Sequence, residues 1–119
     1  MAQHNQTGIR GEQIAREFLR KKDYKILETN WRHEKEEVDI IAMDGSELVI
    51  LEVKTRSTDY FGDPEEAVDE AKEERLIAAA EAYLEEKDLD VEVRYDIVSI
   101  ILKNKHPEIR HIQDAFYPR

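Results

Sequence analysis

Asp39, Glu52 and Lys54 are the residues whose types and spacing suit a definite chemistry. In an extended strand, residues two apart share a face, so Glu52 and Lys54 of Glu52-Val53-Lys54 project together. They end the apolar run Leu48-Val49-Ile50-Leu51, where charged groups are costly to bury without a purpose. Asp44-Gly45 has the composition of a tight hairpin turn, because Gly and Asp accept the positive φ such turns need. With the turn centred there, Asp39 falls opposite position 51, within a register step of Glu52. Two carboxylates and one ammonium then converge at one sheet edge. Mg²⁺ takes hard oxygen ligands and keeps several waters, so two carboxylates, helped by the Val53 main-chain carbonyl, suit it. A cation held there would polarise a phosphate and acidify the attacking water, which Lys54 would orient or deprotonate. The pattern points to hydrolysis of a phosphodiester with Mg²⁺ or Mn²⁺. The same placement also suits a plain cross-strand salt bridge between Lys54 and one acid.

The elements that must position these residues follow from periodicity. Thr7 to Lys22 reads as a helix, with Ile14, Ala15, Phe18 and Leu19 as its apolar stripe. Tyr24–Trp31, Glu37–Met43 and Glu47–Thr55 read as strands, the last apolar on both faces and therefore central. Residues 65–86 read as a long helix, with Pro64 suited to its first turn. Its apolar face is predicted to hold Ala67, Val68, Ala71, Arg75, Ala78, Ala79, Ala82 and Tyr83. Val91–Leu102 is a further strand, Ile109–Ile112 a short last one, and Ala115-Phe116 a pair expected to pack back on the core. The order implies an α/β fold: a mixed sheet with helices against it.

Asp39-x(12)-Glu52-Val53-Lys54 resembles the PD-(D/E)XK nuclease signature. More of the chain is similar to one family, the YraN-type proteins of bacteria, relatives of the archaeal Holliday-junction resolvases. The matching stretches are GEQIAREFL (11–19), YKILETNWR (24–32), EVDIIAMDGSELVILEVKTRS (37–57), FGDPEEAV (61–68), RLIAAAEAYL (75–84) and YDIVSI (95–100). The resemblance implies a restriction-endonuclease-like core over residues 1–119 and an endonuclease acting on DNA, branched or structured DNA included. It also implies a homodimer, since a junction presents two symmetric strands, and it implies Glu12 as a further metal ligand. Glu12 borders the buried stripe of the first helix; a first-turn acid that complements the helix dipole is the plainer reading. One departure falls at the turn into the site strand. The family usually has Gly before the Glu-hydrophobic-Asp unit, whereas here Lys35-Glu36 precedes Glu37-Val38-Asp39.

Other residues divide between a sharp and a plain reading. Arg56, Lys72 and Arg75 suit phosphate contacts; Arg56 also reads as a surface arginine, and Lys72 as paired with neighbouring acids of its helix. Tyr60-Phe61-Gly62 suits a loop anchor or a substrate wall, and Trp31 suits the core. Asp96 either supports the site or faces solvent. His4, His33, His106 and His111 have no metal-ligand spacing and read as incidental.

Composition bounds these readings. The chain has 119 residues, no cysteine and 40% hydrophobic residues, which fits one modest core in a reducing, cytoplasmic setting without disulfides or thiolate chemistry. The amino-terminal residues lack the apolar core of a signal peptide, and no run approaches the ~18 apolar residues of a membrane span. The net charge of −10 is not spread evenly. Residues 59–92 carry the acidic excess, while residues 1–35 are net basic, so overall charge neither excludes nor supports DNA as partner. Any basic patch near the site is expected from Arg10, Arg16, Arg20, Arg32 and Arg56. Two other functions share this fold: a DNA-binding module without turnover, and a protein-interaction domain using the acidic helix.

Overall fold

The computed structural model describes residues 6–57, 68–102 and 106–118. Their order is α1 (Gln6–Lys21), β1 (Lys25–His33), β2 (Glu36–Asp44), β3 (Glu47–Arg56), α2 (Glu70–Lys87), β4 (Val93–Ile101) and β5 (Glu108–Phe116). The strands form one five-stranded sheet in the order β1-β2-β3-β4-β5. β3 and β4, joined through α2, are parallel, and the other neighbours are antiparallel. This is the α/β fold expected, a central mixed sheet with helices against it. No helix among the described residues is long and apolar enough to cross a membrane.

The helices cover opposite faces of the sheet. Ala15 and Leu19 of α1 pack on Ile40, Ala42, Val49, Leu51, Val98 and Ile100. Leu76, Ala79, Ala80 and Tyr83 of α2 pack on Ile41, Leu48, Ile50, Tyr95 and Ile97. Leu48 to Leu51 is therefore buried on both sides, as its unbroken apolar run requires. The β2–β3 hairpin pairs Asp44 with Glu47, leaving Gly45-Ser46 as the turn. Gly45 has φ 60 and Ser46 no positive φ. Positive φ at the first central residue alone is the type II′ pattern, which matches the right-handed twist of the strands.

Two elements differ from their sequence reading. The last strand runs from Glu108 to Phe116 rather than ending at Ile112, and takes in Ala115-Phe116. It pairs on one side only, so charged residues interrupt its apolar pattern and only Ile109–Ile112 reads as strand. Phe116 is buried and stacks on Tyr95, with ring centroids 5.1 Å apart.

The second helix begins at Glu70, capped by Asp69 in extended conformation. The expected starting segment before residue 68, with Pro64 and Ala67, lies outside the described residues, as do Tyr60-Phe61-Gly62 and His4. Leu76 and Ala80 enter the buried face, while Ala71, Arg75 and Ala78 are exposed. An alanine-rich helix gives weak periodicity, and the bulkier Leu76 decides which side faces the core. That rotation frees Arg75 from the core face.

Candidate functional site

The β2–β3 ladder stops at the Ile40–Leu51 pair. Beyond it the Asp39 side chain bridges the two strands, its Oδ2 accepting the Val53 backbone N–H at 2.8 Å. On the other side, pairing with β1 passes from Thr29–Ile40 to Trp31–Val38, around Asn30, which has φ 52. Alternation along β2 also slips here: Ile40 and Ala42 face α1, whereas Val38 joins the α2-side core. Asp39 thus sits at a local break of the sheet.

A cleft opens there, lined by Thr7, Gly8 and Glu12 of α1, Lys35 to Glu37, Asp39, Glu52 to Thr55, Lys72 and Arg75. Its volume is about 550 Å³. Asp39, Glu52 and Lys54 all reach it, together with Val53 and Glu12. Asp39 and Glu52 are both buried, at 9% and 3% exposure. Burial first, then the charge of Glu52, push the Asp39 carboxyl well above the usual carboxylate range, against the Val53 hydrogen bond. The two carboxylates are therefore close neighbours. Among the described residues Glu52 Oε1 is buried without a hydrogen-bond donor, an arrangement that suits a positive partner.

The cations around the pair are arranged unequally. Lys54 Nζ lies 3.8 Å from Glu52 Oε2 and is about a third exposed. Lys72 Nζ lies 3.0 Å from Glu36 Oε2 and 3.1 Å from Glu52 Oε2. Arg75 Nε donates to Glu36 Oε1 at 2.9 Å. Burial works to raise the Glu36 carboxyl, but its hydrogen bonds with Lys72 and Arg75 outweigh it and hold it below the usual range. Arg56, Arg10, Arg16, Arg20 and Arg32 do not line the cleft; its cations are Lys35, Lys54, Lys72 and Arg75. The basic lining comes from β3, α2 and the β1–β2 turn, whereas α1 contributes only Thr7, Gly8 and Glu12.

Glu12 lines the cleft, and its charge adds to the upward push on Asp39. Its Oε1 accepts a hydrogen bond from Asn30 Nδ2 at 3.0 Å, and the same amide reaches Glu37 Oε1 at 3.2 Å. Among the described residues no three His, Asp or Glu side chains form a ready metal cage. What the cleft offers a divalent cation is the Asp39–Glu52 pair and main-chain oxygen, with water completing the shell, which is how Mg²⁺ is usually bound. The orphaned Glu52 oxygen and the mutual repulsion of the pair fit such a cation.

Close packing fixes the α1 side of the cleft. A Cβ on Gly11 would lie 1.8 Å from Thr55 Oγ1 and 2.7 Å from Thr55 Cβ. Only glycine lets α1 approach the end of β3 so closely.

Residues that sequence reasoning missed cluster around these. Glu36 occupies the position where the resemblance led one to expect Gly, is buried, and anchors both Lys72 and Arg75. Glu34, in the turn before it, has φ 56. Asn30 carried a signal, since asparagine tolerates left-handed backbone.

Away from the cleft, Asp96 is buried and neither faces solvent nor supports the site. It accepts hydrogen bonds from Arg94 Nε at 3.0 Å and from the Asp114 N–H at 3.1 Å, with His111 Nε2 at 2.7 Å. His111 is thus structural rather than incidental, and Lys22 Nζ meets its Nδ1 at 2.8 Å.

The chain is similar to proteins known only by family. The model of "Uncharacterised protein family UPF0102" matches residues 11–100. A UPF0102 protein of Christiangramia forsetii is 51% identical, over 98% of both chains. One of Flavobacterium psychrophilum is 49% identical over 98% of both, and one of Parabacteroides distasonis is 48% identical over 98% of this chain and 97% of its own.

Proposed function

This chain belongs to the uncharacterised protein family UPF0102, and we propose that it is a Mg²⁺- or Mn²⁺-dependent DNA endonuclease. The observation that carries this reading is the buried pair of Asp39 and Glu52 with a donorless Glu52 oxygen. Two carboxylates held together in a low-dielectric site are unfavourable unless a cation joins them or they share a proton. A divalent cation bound there supplies Lewis-acid polarisation of a phosphodiester and a more acidic attacking water.

The chain's own groups supply the rest. Asp39 and Glu52 hold the cation, with the Val53 carbonyl as main-chain ligand and Glu12 acting at longer range through water. Lys54 is exposed enough to meet water and close enough to Glu52 to stay beside the carboxylates. At 3.8 Å its ion pair is loose, although Glu52 is buried. A purely structural salt bridge is therefore a poor account of Lys54, and orienting the attacking water a better one. Lys35 and Arg75 line the cleft where a phosphate backbone would run. The acidic outer face of α2 turns DNA away from that side, so the strand enters over the β1–β2 turn. Branched or structured DNA is the substrate class we favour.

The test is parallel cleavage and binding on linear, flapped and four-way DNAs, in Mg²⁺ and in Mn²⁺. Glu52→Gln and Lys54→Ala should each abolish cleavage and leave binding and the circular dichroism spectrum intact, since phosphate contacts carry most affinity. Binding by the wild type without cleavage of any substrate would replace this reading with a binding module. Neither binding nor cleavage would favour a protein-interaction domain.

A further inference from the structure

Lys72 is held in place from two directions. Its backbone N–H is capped by Asp69 Oδ1 at 2.8 Å, which fixes it in the first turn of α2. Its ammonium reaches across the cleft to Glu36 Oε2 and Glu52 Oε2, at 3.0 Å and 3.1 Å. One oxygen of Glu52 is thus neutralised by an internal cation, while the other has no donor. An ammonium in contact with a carboxylate and a divalent cation on the same carboxylate repel one another strongly at such range. The Lys72 contact, closer than that of Lys54, is the one such a cation would weaken most.

We propose that Lys72 is a resident counter-ion of the carboxylate pair, displaced when a divalent cation binds, and that the released ammonium then takes a substrate phosphate. This rests on the reading of Asp39 and Glu52 as the carboxylates that hold the cation. Three features make the exchange feasible. The Lys72 side chain is a quarter exposed, so its flexible stem has room to swing. Arg75 stays on Glu36, so that acid keeps a partner when Lys72 leaves. Glu52, Lys72, Lys35 and Arg75 line one cleft, so a phosphate bound in it lies within reach of the Lys72 stem. Without a phosphate, Lys72 loses two ion pairs on release; with one, it gains a replacement. Cation and phosphate therefore favour each other's binding, and the coupling is reciprocal. The ion pairs offset the charge of Glu36 and Glu52 in the protein free of metal and substrate.

The experiment follows the amine itself in the wild-type full-length protein. A lysine-acylating reagent is applied with EDTA, with Mn²⁺, and with Mn²⁺ plus a phosphorothioate oligonucleotide, and modification of Lys72 is read by peptide mass spectrometry. Labelling should rise severalfold with Mn²⁺ and fall again with the oligonucleotide. Calorimetry of Mn²⁺ binding adds a second readout: Lys72→Gln should bind Mn²⁺ about tenfold more tightly than wild type, yet bind the oligonucleotide more weakly in its presence. Lys72→Arg, which keeps the charge, should stay near wild type in both. Labelling unchanged by Mn²⁺, in a protein whose Mn²⁺ binding is lost in Glu52→Gln, would overturn the exchange and leave the cation site standing. Absence of Mn²⁺ binding in wild type and Lys72→Gln alike would overturn the site reading and this proposal together.

Discussion

The Asp39 carboxylate accepts the Val53 backbone N–H at 2.8 Å, immediately beyond the last paired residues of β2 and β3. One side chain therefore does the work of a strand-pairing group and stands beside Glu52. The arrangement ties the site to the sheet's geometry, and it makes the protonation of Asp39 a matter of fold stability.

The Asp39 carboxyl lies above its unfolded value of about 3.9. The folded protein therefore binds its proton more tightly than the unfolded chain does. Stability from this group is present below the unfolded value and is lost as pH rises through the raised folded value. Asp39→Asn keeps an oxygen for Val53 and removes the titration. Urea unfolding in EDTA across a pH series should show the wild type losing stability with rising pH in that window and the variant losing less. A parallel pair of profiles would contradict the assignment of repulsion to Asp39.

Gly11→Ala should destabilise the protein by about 1–3 kcal/mol, because the new methyl overlaps Thr55 and α1 must move off β3. Combining it with Thr55→Ala should restore part of the loss, since the closest clash is with Thr55 Oγ1 at 1.8 Å. Thermal or urea unfolding reads both. A fully additive pair would mean that the two residues do not share this contact.

Asp96→Asn should cost about 1–3 kcal/mol at neutral pH, since it removes the buried one of three carboxylates paired with Arg94 and leaves Asp44 and Glu47. Burial works to raise the Asp96 carboxyl, but hydrogen bonding with His111 and Arg94 outweighs it and holds it below its ordinary value. Its contribution is therefore present above the unfolded value and lost as pH falls through the lowered folded one. Wild type and variant should converge in stability in acid. A gap that persists at low pH would point to packing rather than charge.

Much of this site was legible in the sequence. The Asp44-Gly45 signal and the apolar Leu48–Leu51 run point to a hairpin that brings Asp39 near Glu52, because strand periodicity leaves few alternatives, and the turn itself falls one residue later, at Gly45-Ser46. Lys54 follows from alternation. What periodicity could not reveal depended on tertiary contacts. Which side of α2 faces the core turns on Leu76 against several alanines, and that choice delivers Lys72 and Arg75 to Glu36. Asp96 and His111 lie apart in sequence and meet only because β4 pairs with β5, an edge strand whose charged residues disguise it. The slip of alternation at Asp39 is likewise invisible locally, since it arises where β3 stops pairing with β2 and the pairing with β1 skips Asn30 and Asp39.

The account stands on Asp39 and Glu52 sharing one divalent cation. Anomalous scattering from a crystal soaked in Mn²⁺ tests this directly. The expected result is a single strong peak between the Asp39 and Glu52 carboxylates, in contact with an oxygen of each. A crystal whose Mn²⁺ peaks all lie elsewhere, with Lys72 still seated on Glu52, would contradict it.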